Sequence, residues 1–138
     1  MATLDDGLVD AAVLDLTTRG RRTGQPRTIE IWFAARGSTI YLLAGGREAA
    51  HWVRNIVADP AVSIAIRGRP FVGRGRLVRD PVEGDVARDA LVAKYQPRYG
   101  GDLSGWRAAS LPVAIELADE AWADDAADPA VRASTRQP

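Results

Sequence analysis

The sequence predicts a mainly β fold, a small antiparallel barrel of about five or six strands with two flanking helices. Two observations lead to this prediction. Apolar residues alternate with period two in several short runs separated by Gly, Pro and Asp, which is typical of half-buried strands joined by turns. Two longer segments instead repeat their apolar residues at helical spacing. A small barrel pairs its edge strands and leaves ligand sites at its mouth or on its outer wall.

The elements follow in chain order. Residues 3–12 carry a weak pattern that fits either a short helix or an extension of the first strand. The predicted strands cover residues 13–18, 28–35, 39–44, 61–66, 71–78 and 111–117, and the predicted helices cover 48–58 and 81–95. The first three strands are expected to form an antiparallel meander. Residues 96–107 are expected to be a loop or a broken helix.

The two helices have recognisable ends and faces. Asp80 can cap the second helix, Pro81 suits its first position, and Glu83 occupies the place of a capping-box acid. Asp59-Pro60 ends the first helix. The residues expected on the apolar face of the first helix are Trp52, Val53, Ile56 and Val57.

Two of the strands have unusual faces. In the strand at 61–66, β-branched residues occupy one face and small residues occupy the other, so that something must pack closely against the small side. In the strand at 71–78, Gly73 and Gly75 share one face, which suits the sharp coiling of a small barrel. The arginines expected on a solvated face are Arg74, Arg76 and Arg79.

Composition limits the function. A chain of 138 residues with 46% apolar residues predicts one domain at 1–118 and a flexible tail at 119–138, which is rich in Ala, Asp, Pro and Arg. The 18 basic and 18 acidic residues balance, which argues against a nucleic-acid or membrane-surface binder. The chain has no cysteine and one histidine, so no metal site is predicted. Without a bilayer-length apolar stretch or a signal-peptide pattern, the expected location is the cytoplasm.

Residues 17–27 form the most informative stretch. They lie between two predicted strands and contain four arginines, Arg19, Arg21, Arg22 and Arg27, together with two glycines that suit a tight turn. One interpretation is a solvated surface loop. The other is an anion site, because guanidinium groups and free backbone N–H groups at a bend suit phosphate or carboxylate oxygens. The residue types alone favour the two interpretations equally.

A second stretch, Gly45-Gly46-Arg47, precedes the first predicted helix. Helix N-termini attract anions through their free N–H groups and dipole, although Gly-Gly before a helix is often only a turn. Together with the arginine hairpin, this stretch outlines a site for a phosphorylated cofactor. The sequence shows no paired carboxylates and no Ser-His-Asp set, so an enzyme of this kind would take its chemistry from a bound cofactor.

The hairpin carries a family resemblance. The sequence Thr-Thr-Arg-Gly-Arg-Arg-Thr-Gly-Gln-Pro-Arg at 17–27 resembles the signature hairpin of the deazaflavin-dependent nitroreductase family, which belongs to the split-barrel flavin and deazaflavin oxidoreductases. These are related to the pyridoxamine-phosphate-oxidase-like barrels. The resemblance continues at 29–33, 52–56, 59–62, 95–99 and 111–115, and thus covers most of residues 13–117. It implies a split antiparallel β-barrel of about six strands.

The resemblance also implies a function. It implies that the protein binds coenzyme F-420 and passes a hydride from the reduced cofactor to a small electron-poor acceptor such as a quinone or a nitro compound. The cofactor-binding positions that it implies are Arg21, Arg22, Thr23, Arg27, Ala44, Gly45, Gly46, Arg47, Trp52 and Asn55. The positions that it places beside the substrate are Tyr95, Tyr99 and Trp106, with the two tyrosines as candidate catalytic residues.

Alternatives remain open at this point. The loop at 45–47 is shorter than in many relatives, and the long amphipathic N-terminal extension of some members is missing, which argues against a membrane. An FMN-dependent enzyme of the same barrel class, or a carrier that binds a cofactor, haem or lipid without turnover, would also fit. The expected partner is a small-molecule acceptor, and a homodimer is frequent in the class. On residue type alone, His51 is a surface residue, and Trp52, Tyr95 and Tyr99 are packing residues.

Overall fold

The structure is a computed structural model that describes residues 4–118. The predicted tail at 119–138 therefore lies outside the described residues. The strands are β1 Leu14–Arg19, β2 Pro26–Ile31, β3 Ala34–Arg36, β4 Thr39–Ala44, β5 Ala61–Ile66, β6 Arg69–Leu77 and β7 Leu111–Leu117. The helices are α1 Asp6–Val9, α2 His51–Ala58, α3 Pro81–Tyr95 and α4 Ser104–Ala109, and short 3-10 helices cover Arg47–Ala49 and Gln96–Arg98. The prediction of a mainly β fold with flanking helices is confirmed.

The strands form one antiparallel sheet in the order β2-β1-β5-β6-β7-β4-β3. Its two terminal strands, β2 and β3, are consecutive in sequence, with only Trp32 and Phe33 between them. Because two residues span a short distance, the ends of the sheet must lie close together, and the sheet curls into a split barrel. The two antiparallel pairings of the predicted meander are present, β1 with β2 and β3 with β4. The run predicted as one strand at 28–35, however, divides into two strands at opposite ends of the sheet.

The curled sheet has two apolar layers. The inside of the barrel holds the larger core, in which Leu16, Phe33, Ile40 and Val113 are fully buried. The outer face of β4 and β7 packs against helix α3, where Leu91 and other buried side chains form a second cluster. Strands β4 and β7 are consequently buried on both faces.

Helix α2 closes one side of the barrel. Val53 and Ile56 are buried as predicted, but Val57 is 65% exposed, and Asn55 is buried instead. The glycines of β6 explain how closely the elements approach. A Cβ on Gly75 would lie 2.8 Å from Ile56 Cγ2 of the helix, and a Cβ on Gly73 would lie 2.6 Å from the Glu116 carbonyl oxygen. Gly75 thus permits the close approach of helix α2, and Gly73 permits the close approach of strand β7.

Helix α3 begins and ends where the sequence predicts. The Asp80 side chain accepts a hydrogen bond from the Glu83 N–H at 2.9 Å, and Pro81 occupies the first helical position. The Glu83 side chain does not complete a capping box, however. It accepts hydrogen bonds from Arg76 Nη1 and Nη2, at 2.9 and 2.7 Å, and from the Tyr41 hydroxyl at 2.8 Å.

The Arg76 side chain links helix α3 to the sheet. Its Nη2 also donates to Glu116 Oε2 at 2.7 Å, and Thr39 Oγ1 donates to the same carboxylate at 2.6 Å. Arg76 is exposed, as predicted, but it also belongs to a hydrogen-bonded network. The hydrogen bonds from Arg76, and to a smaller extent the one from Tyr41, lower the pKa of Glu83 to about 2. Burial, followed by the hydrogen bond to Glu83, raises the pKa of Tyr41 to about 12.

Acid should weaken this link. The pKa of Glu83 is lower in the folded protein than its ordinary value of 4.5, so its stabilising effect is complete above that pH and is lost as the pH falls from about 4.5 to about 2. We expect Glu83→Gln to lower the free energy of unfolding at pH 7, and the difference from the parent protein to shrink below pH 4.5. Urea unfolding at several pH values measures this. The control is Asp85→Asn, an exposed carboxylate of the same helix with no bond to Arg76, and an equal acid response in both variants would contradict the assignment.

Candidate functional site

A cavity of about 650 Å³ lies between the β1–β2 hairpin and helix α2. We call it the hairpin cavity. Its lining residues are Thr18, Gly20, Arg21, Arg22, Thr23, Arg27, Thr28, Ile29, His51, Trp52 and Asn55. Six of the ten cofactor-binding positions predicted from the resemblance thus meet at one cavity, with hydroxyl, guanidinium, imidazole and indole groups around it.

The hairpin tip is a tight turn held by its own backbone. The Gly20 N–H donates to the Gln25 carbonyl at 2.7 Å, and the Gly24 N–H donates to the Gly20 carbonyl at 2.8 Å. Gly24 has a φ of +74°, which glycine adopts without strain. The Thr23 hydroxyl accepts from the Gln25 N–H at 3.2 Å. Several N–H groups that the sequence suggested for an anion are therefore used within the turn, and the side chains remain as the main donors.

Asn55 fastens this hairpin to helix α2. The residue is 3% exposed. Oδ1 accepts from the backbone N–H and from Nη1 of Arg21, at 3.2 and 2.9 Å, and Nδ2 donates to Thr18 Oγ1 at 3.1 Å. One buried amide thus satisfies three groups of the hairpin, which fixes the position of the tip relative to the helix.

Arg21 is held from two sides. Its guanidinium donates to Asn55 and also lies 3.3 Å, through Nη2, from His51 Nδ1. Since arginine has only donors, this nitrogen of His51 must be the acceptor, and the ring N–H is at Nε2. His51 is exposed, as expected of a surface histidine, but it lines the hairpin cavity. Sequence reasoning missed this position, and its place one residue before Trp52 was the available signal.

The remaining arginines of the hairpin differ from Arg21. Arg19 forms an ion pair with Asp59, at 3.5 Å. Arg22 and Arg27 are exposed, line the cavity, and have no ion pair or side-chain hydrogen bond with any residue in the range 4–118. Two guanidinium groups without a counter-charge in this range suit an anionic ligand.

The other predicted cofactor positions lie elsewhere. Ala44 is buried at the end of β4, and Gly45, Gly46 and Arg47 do not line the hairpin cavity. Arg47 Nη1 donates to the Ala109 carbonyl at 2.8 Å. Helix α2 begins at His51 and not at residue 48, because Ala50 is extended and separates it from the preceding 3-10 helix. The helix N-terminus is therefore not formed by the Gly-Gly segment.

A second cavity, of about 510 Å³, borders the other end of β2. We call it the aromatic cavity. Its lining residues are Val13, Glu30, Ile31, Trp32, Leu43, Tyr99, Asp102, Leu103 and Trp106. The Trp32 ring meets the edges of Tyr99 and Trp106 with centroid distances of 5.9 and 5.5 Å. Trp32 is the central ring of this cavity, although the sequence marked it only as a strand residue.

The two predicted substrate-side tyrosines have different environments. Tyr99 is 48% exposed and lines the aromatic cavity. Tyr95 is 3% exposed, and its ring stacks on Trp32 at 4.3 Å. Its hydroxyl accepts from the Phe33 N–H at 3.0 Å and faces the Ala12 and Phe33 carbonyls at 2.8 and 3.1 Å. Burial raises the pKa of Tyr95. This tyrosine supports Trp32 from the core and borders neither cavity.

The curled antiparallel sheet with its flanking helices places the chain in the split-barrel fold class. Residues 4–117 match the model of the F420H(2)-dependent quinone reductase family. The chain belongs to this family, and the family confirms the resemblance and coenzyme F-420 as the cofactor.

Solved structures share the fold. A proposed 5-nitroimidazole antibiotic resistance protein from Bacteroides thetaiotaomicron aligns with a TM-score of 0.65 and 12% identity over 86% of this chain and 83% of the other. An F420 reductase aligns with a TM-score of 0.59 and 19% identity over 86% and 97% of the two chains. A proposed pyridoxamine 5'-phosphate oxidase from Listeria innocua aligns with a TM-score of 0.60 and 16% identity over 81% and 88%. Among the described helices, none is long and apolar enough to cross a membrane.

Removing the Asn55 amide should loosen the hairpin. Asn55→Ala leaves the Arg21 N–H and Thr18 hydroxyl without their partner, which costs about 1–3 kcal/mol for a buried group. We expect a lower urea midpoint and faster hydrogen exchange at the Arg21 amide. Arg54→Ala, at the exposed preceding position, is the control. Unchanged exchange at Arg21 in the Asn55 variant would show that the hairpin is held by other contacts.

Proposed function

We propose that this protein binds F-420 in the hairpin cavity and reduces a small electron-poor acceptor, a quinone or a nitro compound, held in the aromatic cavity. Family membership supports the reaction class, an F-420-dependent oxidoreductase. The observation that carries the proposal is the pair of exposed arginines, Arg22 and Arg27, which face a cavity without any ion pair to residues 4–118.

The residues of the hairpin cavity fit this cofactor. F-420 carries a phosphodiester and a polyglutamate tail, so its binding needs cationic donors. Arg22 and Arg27 supply guanidinium forks, and Asn55 holds Arg21 and the hairpin in place beside them. Trp52 contributes a partly buried ring to the cavity wall. When bound, reduced F-420 supplies the hydride, and the chain itself binds and orients the reactants.

The aromatic cavity fits a planar acceptor. Trp32 is fixed by its stacking on the buried Tyr95, and Trp106 and the exposed Tyr99 stand nearly perpendicular to it. Rings in such positions provide apolar surface and contacts for a flat molecule. Both cavities border strand β2, with Thr28 and Ile29 in one and Glu30 and Ile31 in the other. This arrangement supports the proposal that cofactor and acceptor are bound side by side.

The two free arginines should contribute most of the anion binding. A hydrogen bond to a charged group contributes about 1.5–3 kcal/mol. Arg22→Ala or Arg27→Ala should therefore weaken F-420 binding by about ten- to a hundredfold, since about 1.4 kcal/mol is a factor of ten. Arg22→Lys should recover part of the loss, because lysine keeps the charge but not the fork. Equilibrium titration by F-420 fluorescence measures this.

The control for these variants is Arg74→Ala. Arg74 is another exposed arginine that has no ion pair among residues 4–118, and it lines neither cavity. The melting temperatures of all variants should stay close to that of the parent. If both hairpin variants bind F-420 as tightly as the Arg74 variant, the cofactor does not occupy the hairpin cavity.

Turnover should distinguish an enzyme from a carrier. We expect the protein to oxidise F-420H2 when menadione or a nitroaromatic compound is added. Reduced FMN should be a poorer hydride donor, because FMN offers fewer anionic groups to Arg22 and Arg27. Loss of F-420H2 absorbance over time, compared for the two acceptor classes, measures the reaction. Binding of F-420 without turnover across the acceptor panel would favour the carrier, and equal affinity for FMN would favour a flavin enzyme.

Two other expectations remain proposals. The chain is proposed to form a homodimer in the cytoplasm, and a solved structure described as a domain-swapped dimer shares its fold, with 18% identity and a TM-score of 0.62. Sedimentation equilibrium of the full chain would decide the oligomeric state, since a single species at 14.8 kDa would contradict the dimer. Fractionation of the source cells would test the location.

A further inference from the structure

The charges around the two cavities have opposite signs. The hairpin cavity is lined by three arginines. The aromatic cavity is lined by two carboxylates, Glu30 and Asp102, and no arginine or lysine is among its lining residues in the range 4–118. Two sites that share one strand thus offer very different surroundings to a charged ligand.

The Glu30 carboxylate is available to a ligand. It is exposed, and it has no ion pair or hydrogen bond from its side chain to any part of the chain that the structure describes. It lies directly opposite Asp15 in the β1–β2 pair, and Asp15 is likewise unpaired within residues 4–118. Like charges directly opposite each other on neighbouring strands repel, and a cation bound beside Glu30 would reduce that repulsion.

Asp102 keeps its charge on the other side of the cavity. Its two oxygens accept hydrogen bonds from the N–H and the hydroxyl of Ser104, at 2.9 and 3.0 Å. These bonds hold the pKa of Asp102 below its usual value. Asp102 is therefore ionised at neutral pH, although part of its bonding capacity is used by the helix start.

The cations of this region lie outside the aromatic cavity. Arg67 lines a different cavity together with Glu30 and Asp15, and it has no ion pair within residues 4–118. Lys94 Nζ donates to the Val9 and Phe33 carbonyls at 2.9 and 3.0 Å, and burial lowers its pKa to about 8. Arg98 forms an ion pair with Asp10. Neither side chain lines the aromatic cavity. Among residues 4–118, the charged groups that line the aromatic cavity are therefore Glu30 and Asp102, both acidic.

We propose that the aromatic cavity selects planar acceptors that carry a positive charge, through the rings of Trp32, Tyr99 and Trp106 and the carboxylate of Glu30. Cations are attracted to the faces of indole and phenol rings, and a nearby carboxylate adds to that attraction. An anionic acceptor meets the repulsion of two carboxylates in the same place. The binding preference stands on the cavity alone, whereas its effect on turnover rests on the proposed function.

Equilibrium binding tests the preference without the reaction. The full chain is titrated with benzyltrimethylammonium, benzyl alcohol and benzenesulfonate by calorimetry, and indole N–H shifts in NMR spectra report whether Trp32 and Trp106 are the rings contacted. We expect the ammonium compound to bind about tenfold more tightly than the sulfonate at low salt, and the difference to fall as salt screens the carboxylates.

Matched variants identify the groups responsible. Glu30→Gln should reduce the ammonium-to-sulfonate ratio by about threefold, and Asp85→Asn, which removes an exposed carboxylate outside both cavities, should leave it unchanged. Tyr99→Leu should weaken ammonium binding by about threefold, and Tyr99→Phe should retain it, because the ring face remains. Equal affinity for the cation and the anion, or a ratio that Glu30→Gln does not change, would overturn the proposal.

Turnover then extends the test to acceptors. The two-electron reduction of a naphthoquinone transfers a hydride from reduced F-420 and takes up a proton, which gives the hydroquinone and oxidised F-420. For naphthoquinones with a quaternary ammonium, no charge or a sulfonate, kcat/KM should fall in that order. Turnover without a charge preference would contradict the cation site. No turnover with any of the three, despite cation-selective binding, would contradict the proposed function and leave the cation site supported.

Discussion

The arrangement of the site depends on one buried side chain, Asn55. It joins helix α2 to the arginine hairpin through three hydrogen bonds, two to Arg21 and one to Thr18. A hairpin tip on the surface would otherwise move, and its arginines would lose conformational entropy on binding an anion. Because the Asn55 amide is enclosed, its bonds are shielded from competition by water. The cavity wall is therefore organised before any ligand arrives.

The closure of the sheet decides where the two cavities lie. The chain passes from β2 at one end of the sheet to β3 at the other through Trp32 and Phe33 alone. Phe33 is buried inside the barrel, and Trp32 faces outward and stacks on Tyr95 of helix α3. One short connection thus serves both the core and the aromatic cavity, and the buried Tyr95 packs against its outward-facing ring.

The division of charge follows from the same framework. Strand β2 carries Arg27 at its hairpin end and Glu30 near its other end, so a single strand contributes a cation to one cavity and an anion to the other. With equal numbers of basic and acidic residues, the chain achieves this by placement and not by net charge. Such placement allows an anionic cofactor and a differently charged acceptor to be attracted to neighbouring sites.

The sequence by itself determined the fold class, the limits of helix α3 and the arginine-rich turn, because these features depend on signals between near neighbours. Asp80 caps helix α3 through the Glu83 N–H, three residues away, and Pro81 suits its first position, while Gly24 permits its turn through its own backbone conformation. Only the tertiary structure decided the partners of Arg21, the burial of Tyr95 and the division of residues 28–35 into two strands. Asn55 lies 34 residues from Arg21, and Tyr95 lies 62 residues from Phe33. Contacts over such separations depend on how the sheet closes, and no local pattern encodes that closure.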